Sequence, residues 1–493
     1  MQAVILAAGQ SSRLFPFGGT MQKATISLMG KSLVVQTIDS LRRSGVSRIT
    51  VVISPDNGVK ESIEALGEEY RDIRFVSHVG ARGMGEALLD TSSEIKEDFL
   101  LLHAHHFECD TFIPELVSAK KKLSAQGVLL LRKESSLESY GIVSLTDDQV
   151  TSVAEKPKGV SDALRIVGIY LLSPGFLDVL ISAEKHHYSF ETALDEFAKK
   201  ERVVGVRTEE SVVTLKYPWH ILDIGDFLLS RLSGSVSRNA KIAESAVIEG
   251  SVFVSEHVTI ENGVVIKGPC FIGEGVYIGT NALLRGGVIV EKGAVIGANM
   301  EVKHSIIMEG SSTHSGYIGD SVIGKNCKIA ALFCSGNVRI DRANVHAVVK
   351  DEKTDSKRRS LGVFVGDGTK IGIRVSTMPG VLIGKNVIVG PSTTVFKNVP
   401  SDTKYFSKIT EVIQEHTDGT IEKSEQREKK VVLFDIDYTL FDTKQFRESD
   451  LTKFAVYDEV VEVLGGVSKS KVTKDCYRIA FFYGSCAYSA EER

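Results

Sequence analysis

From Val236 onward an aliphatic residue returns at every sixth position, through Ile242, Ile248, Val254, Ile260, Ile266, Ile272, Ile278, Leu284, Val290, Ile296 and Val302. Two residues before each of these sits a small or compact apolar side chain, as at Ala240, Ala246, Val252, Val258, Val264 and Cys270. An amphipathic helix would drift out of such a beat, because six residues are not a whole number of turns of about 3.6. The pattern predicts a parallel β-helix in which each hexad is one short strand and corner, with three hexads closing a triangular coil. The beat breaks at 308–317 and again at 350–359, and resumes at Val365, Ile371, Thr377, Ile383, Val389 and Val395.

Residues 1–230 have a different texture, in which apolar runs alternate with amphipathic stretches. Strands are expected at 3–8, 49–53 and 99–102, and helices at 32–44 and 59–70, which is the arithmetic of βαβ units and a mostly parallel sheet covered on both faces. The β-helix is expected over 236–400. Residues 401–430 lose the beat and end in a charge-dense run, which reads as a linker, and a further unit begins with an apolar strand at 431–434. Lys and Arg number 59 against 63 Asp and Glu, so there is no global field to attract nucleic acid or an anionic membrane. Six cysteines lie far apart, which fits neither a zinc site nor a disulfide framework and points to a reducing, cytoplasmic setting. No run approaches the ~20 apolar residues of a membrane span.

The first strand leads into Leu6-Ala-Ala-Gly-Gln-Ser-Ser-Arg-Leu-Phe-Pro16. A small-residue turn at the end of a strand exposes backbone N–H groups that can cradle phosphates, and Arg13 and Lys23 add cations. Further along stand Gly30-Lys-Ser-Leu33, Gly83-Met-Gly-Glu-Ala87, Tyr140-Gly-Ile-Val143, Glu155-Lys-Pro157 and Val167-Gly-Ile-Tyr170. In order and spacing these segments resemble the sugar-1-phosphate nucleotidyltransferases, with an α/β, Rossmann-like domain. The resemblance implies a nucleoside triphosphate and a sugar 1-phosphate as substrates and pyrophosphate as a product. It implies catalytic roles for Arg13 and Lys23, nucleotide contacts at Leu6, Ala8, Gly9 and Gly83, and sugar contacts at Gly141, Glu155 and Gly168. It also implies Mg²⁺, but the family's metal-binding carboxylates fall at His105 and at His220, or at Asp223 if the alignment is shifted. Imidazole suits Zn²⁺, Mn²⁺ or Fe²⁺ better than Mg²⁺, which prefers hard oxygen ligands.

The break in the hexads carries Ser312-Thr-His-Ser-Gly-Tyr-Ile-Gly-Asp320. This resembles the HxxYxGD segment of the bifunctional N-acetylglucosamine-1-phosphate uridylyltransferase/glucosamine-1-phosphate acetyltransferases, which join both domains in this order. The resemblance covers roughly residues 1–400 and implies a left-handed β-helix, a homotrimer and acetyl-CoA as acyl donor. An amine must lose a proton before it attacks a thioester, and His314 is the candidate base. Arg285 and Lys303 would hold a sugar phosphate, and Tyr317 and Asn337 the sugar. Ala330-Ala-Leu-Phe333 is bulkier than the family's GAGT at the same place, and His304 reads as surface or satisfied core. The expected product is a nucleotide sugar such as UDP-N-acetylglucosamine. The alternative is an acetyltransferase or nucleotide-sugar-binding scaffold with a degenerate nucleotidyltransferase site.

Finally, Val431-Val-Leu-Phe-Asp-Ile-Asp-Tyr-Thr-Leu440 resembles the first motif of haloacid dehalogenase-type phosphatases. It implies Asp435 as nucleophile and Asp437 as acid and base. Residues 431–493 are too few for that fold's full sheet, so a partial α/β unit, truncated or vestigial, is expected.

Overall fold

The computed structural model describes residues 1–9, 13–17, 22–80, 83–134, 140–155 and 163–408, which form one compact unit. The phosphatase-like segment, with Asp435 and Asp437, lies outside the described residues, as does most of the expected linker.

The N-terminal half is built on a nine-stranded sheet. Its strands run in the order Arg74–Ser77, Arg48–Ile53, Gln2–Leu6, Phe99–His103, Leu164–Leu172, Gly127–Lys133, Val203–Arg207, Gln149–Glu155, Gly141–Thr146. The first four are mutually parallel, as the alternation of strands and helices predicts. Beyond them Val203–Arg207 is again parallel to Gly127–Lys133, so the sheet is mostly parallel as expected, with two reversed strands. Leu164–Leu172 is antiparallel to both of its neighbours, and Gln149–Glu155 pairs antiparallel with Gly141–Thr146. A parallel neighbour is usually reached through a crossover helix. Between 133 and 164 the described residues contain a hairpin and no such helix.

Helices cover both faces. Leu33–Arg43 turns Val34, Ile38 and Leu41 inward at helical spacing, onto a core with Ile5, Val51, Leu100 and Leu102. The opposite face packs Val4, Leu101 and Leu129 against Phe176, Phe190, Leu194 and Phe197. The helix His220–Ser230 leads into the second half.

From Ser235 to Tyr405 the chain winds through three parallel sheets of eight, nine and eight short strands. Each strand stacks on the one a coil earlier, as Val252 pairs with Cys270 and Cys270 with Val288. The hexad residues and their small companions line the bore together, Val258 with Ile260 and Val276 with Ile278 among them. Corners take left-handed backbone at Asn281, Asn299, Asn326 and Asn386, residues whose short polar side chains tolerate it. Val236 and Ile242 keep the beat yet stay largely exposed, because they belong to the first coil and have no coil before them. A hairpin, His346–Val349 with Glu352–Asp355, occupies the second break, and the coil resumes when Val322 pairs with Phe364. Pairing of Lys404–Tyr405 with Ile388–Val389 carries the last rung past residue 400, where a linker was expected. Backbone ladder bonds there continue without an aliphatic hexad.

A fourth apolar cluster joins the halves. Leu28, Phe107, Trp219, Ile221 and Ile224 pack with Phe271, Ile289, Ile306, Phe364 and the hairpin's Val345, Ala347 and Val349. Glu291, only 4% exposed, reaches from the β-helix to the turn at 29–30 and accepts the Met29 N–H at 2.5 Å and the Gly30 N–H at 3.0 Å. Burial pushes its carboxyl up to about 7, against the pull of those two donors.

Candidate functional sites

Two sites emerge, one in each half. In the first, Leu6 lies in register with His103, so the loop after the opening strand and the 103–108 turn emerge side by side. Gly141, Glu155 and Gly168 line one cavity of about 210 Å³ together with Met84, His103, His105, His106, Tyr140, Arg165 and Glu191. Gly83 precedes Met84 at the start of a short helix beside it. Gly168 sits at an irregularity between Ile166 and Tyr170 with φ +95°, a left-handed conformation that favours glycine. A Cβ there would come within 3.2 Å of His106 Nε2.

Lys23 stands near His103 and His105, its Nζ donating to the Leu215 carbonyl at 2.9 Å. Burial, followed by the nearby Arg13 and Lys216 cations, lowers its pKa to about 8. The expected catalytic pair therefore stands together, and Lys216 joins it, a residue that no sequence pattern marked.

The expected metal ligands are poor carriers of Mg²⁺. Burial, then His106, His103, Lys23 and His220, hold the His105 imidazole well below its usual range. His220 is lowered to about 3 by burial, then by Arg358, Lys216 and Lys23, and its Nδ1 accepts the Lys216 N–H at 3.1 Å. Asp223 is paired with Arg358. Among the described residues no group of three or more His, Cys, Asp or Glu could hold a metal ion. An imidazole set beside lysines does not fit a hard dication. His106 is fixed by Glu108, which lies 3.1 Å from its Nδ1 and also accepts the Val213 N–H at 3.0 Å.

The second site lies on the β-helix. Arg285 and Lys303 are register partners on successive rungs, and Glu301 pairs likewise with Tyr317. Arg285 is bonded to Glu301. Asn337, from the start of the inserted loop, donates to Tyr317 Oη at 3.1 Å and to Asp320 Oδ2 at 2.6 Å. Lys303 Nζ meets the same Asp320 oxygen at 3.0 Å. His314 occupies the exposed corner before Gly316–Gly319, the strand that carries Tyr317. Four of the five expected residues thus converge around Asp320, and His314 stands on the corner beside them.

Two members of this site escaped the sequence reading. Asp320 is buried, which works to raise its carboxyl, but His304, Asn337 and Lys303 outweigh this and hold it below the usual range. His304 is no ordinary surface histidine: Asp226 and Asp320 both bond it and raise its pKa to about 9. Asp320 had a signal, since it closes the HxxYxGD segment; His304 had none. The bulk expected from Phe333 turns into the bore, where Phe333 is fully buried, and Leu332 is the side chain left exposed.

Comparison with known proteins matches residues 2–227 to a nucleotidyl transferase family and residues 362–397 to the bacterial transferase hexapeptide repeat. "Bifunctional protein GlmU" from a strain of Methanococcus maripaludis is 33% identical over 415 residues, covering 83% of this chain and 98% of the relative. A "Bifunctional sugar-1-phosphate nucleotidylyltransferase/acetyltransferase" from Sulfurisphaera tokodaii is 32% identical over 406 residues, covering 81% and 98%. "Bifunctional protein GlmU" from Methanocaldococcus jannaschii is 29% identical over 414 residues, covering 83% and 98%.

Proposed function

Given that the chain belongs to the family of bifunctional sugar-1-phosphate nucleotidylyltransferase/acetyltransferases, we propose that it acetylates an amino-sugar 1-phosphate and then converts it to a nucleotide sugar, UDP-N-acetylglucosamine. The observation that carries this reading is the match to relatives at 98% of their length, which takes in both sites.

In the acetyl transfer, His314 takes a proton from the substrate ammonium. The freed amine attacks the thioester carbon of acetyl-CoA, the C–S bond breaks, and coenzyme A leaves as the thiol. Arg285 and Lys303 hold the phosphate, and Tyr317 and Asn337 the sugar. In the nucleotidyl transfer, a sugar phosphate oxygen attacks the α-phosphorus of the triphosphate in line and pyrophosphate leaves. Such a step is mostly positioning and neutralisation of charge, which is the work of Arg13 and Lys23. Glu155 accepts bonds from sugar hydroxyls, while Gly141 and Gly168 let the ring approach the backbone. Leu6, Ala8, Gly9 and Gly83 border the nucleotide. The protein acts on small molecules as a trimer, and the cytoplasm is its expected location; among the described residues no helix is long and apolar enough to cross a membrane.

One observation favours a second reading. With imidazoles at 105 and 220 and Asp223 tied to Arg358, the first half can bind nucleotide sugar without making it, leaving the acetyltransferase as the only activity. Incubation with N-acetylglucosamine 1-phosphate, each nucleoside triphosphate in turn, and Mg²⁺, Mn²⁺ or Zn²⁺ separates the two. Pyrophosphate release that is lost in Arg13→Ala supports transfer. Nucleotide-sugar binding without release under any metal supports the second reading.

A further inference from the structure

His304 connects the two halves through geometry that none of the roles above uses. It follows the strand Met300–Lys303 with a left-handed backbone, φ 43°, costly for a residue bearing a Cβ. Its amide donates to the Gly286 carbonyl at 3.0 Å. Its ring packs on Gly287, where a Cβ would come within 2.6 Å of the ring's Cδ2. Nδ1 lies 2.9 Å from Asp320 Oδ1, and Nε2 lies 3.0 Å from both Asp226 oxygens. Ionised carboxylates only accept, so both ring nitrogens donate, and the ring is an imidazolium.

Asp226 belongs to the helix His220–Ser230, the last of the nucleotidyltransferase half. Asp320 is the carboxylate that receives Lys303 and Asn337. One cation is therefore shared between the two halves, and one of its two carboxylates aims the phosphate and sugar ligands of the second site. The other charged or titratable groups around the pair are Lys303 on the preceding strand, Arg285, Glu301 and Tyr317 near Asp320, and the Asp223–Arg358 pair one helical turn from Asp226.

We propose that His304, clamped by Asp226, is a positioning residue that fixes Asp320 and through it Lys303 and Asn337, so that the β-helix site binds an amino-sugar phosphate in full only while the nucleotidyltransferase helix is docked. The proposal rests on the acetyl-transfer reading for its substrate. Without Asp226 the ring has no second acceptor, and Asp320 loses its fixed orientation.

The test uses the full chain and its Asp226→Asn, His304→Gln and doubly substituted variants. Glucosamine 1-phosphate binding is followed by calorimetry and acetyl transfer by thiol release. Each single variant is expected to raise Kd and KM for the sugar phosphate about tenfold while kcat stays within about twofold. The double variant is expected to be no worse than His304→Gln alone, because both act through one path. Asp226→Glu should recover most of the affinity, and pyrophosphate release should not change in Asp226→Asn. If His304→Gln does not fold, the half-exposed Asp226→Asn carries the test alone. Wild-type Kd in Asp226→Asn would overturn the proposal, as would a lower melting temperature without a change in Kd. A wild-type chain that binds the sugar phosphate but releases no thiol removes the acetyl-transfer reading, and the shift in Kd still decides the role of His304. A wild-type chain that does not bind it removes both.

Discussion

The two sites of this molecule handle charge in opposite ways. At the β-helix site three cations have carboxylates: Arg285 has Glu301, Lys303 has Asp320, and His304 has Asp226 and Asp320. In the N-terminal pocket, Lys23 is crowded by Arg13 and Lys216, and His103, His105 and His220 are all held neutral by burial and by neighbouring cations. Cations set close together favour an anionic ligand, and a triphosphate is such a ligand. The difference is one of neighbours: carboxylates stand beside the cations of the β-helix site, whereas Arg13, Lys23 and Lys216 stand beside one another.

The largest effects should fall on the groups at the reacting atoms. Lys23→Ala is expected to lower the rate of pyrophosphate release by about 10²–10³-fold with acetyl transfer untouched. His314→Ala is expected to lower kcat of thiol release by about 10²–10⁴-fold, with pyrophosphate release intact. If either substitution impaired both reactions, the division into two independent chemistries would fail.

A third test reads the effect of burial and neighbouring cations on Lys23. Lys23 is a cation below its lowered pKa of about 8 and neutral above it. The kcat/KM for nucleoside triphosphate should therefore fall as pH rises through about 8, and Lys23→Arg should move that limb upward. A profile flat to pH 10 would show that the lysine charge is not what the triphosphate meets.

Gly168→Ala should have a smaller effect, about tenfold on KM for the sugar phosphate in the nucleotidyl reaction, because its Cβ narrows the cavity beside His106. The smallest effect is on stability. Glu291→Ala removes the carboxylate that accepts the part-buried Met29 and Gly30 N–H groups and should cost about 1.5 kcal/mol in a denaturant melt. Its pH dependence has a definite sign. The folded pKa of about 7 exceeds the ordinary carboxylate value, so the folded state holds the extra proton and wild-type stability declines between pH 5 and 7. Loss of that slope in Glu291→Ala would identify its source.

Much of this was legible in the residues because it repeats or is local. The hexads announced the coil, since inward positions recur at fixed spacing, and short segments such as Tyr140-Gly-Ile-Val143 and Glu155 marked the pocket. Contacts between distant elements were not legible. Glu291 meets a turn at residues 29–30, and His304 meets Asp226; neither pairing has a local pattern. Hence Glu291 went unnoticed and His304 was read as bland. The direction of Leu164–Leu172 was missed for the same reason, because it depends on which connection spans the preceding residues. Lys216 became visible only when the chain brought it beside Lys23.

The most direct test of bifunctionality starts from glucosamine 1-phosphate, acetyl-CoA and UTP in one tube, followed by phosphorus NMR. The wild-type chain should yield a UDP-sugar and pyrophosphate, Lys23→Ala should stop at N-acetylglucosamine 1-phosphate, and His314→Ala should leave the amino sugar unacetylated. Accumulation of N-acetylglucosamine 1-phosphate by the wild-type chain, with no pyrophosphate from any nucleotide or metal, would contradict the account and leave a single acetyltransferase carrying a nucleotide-sugar-binding half.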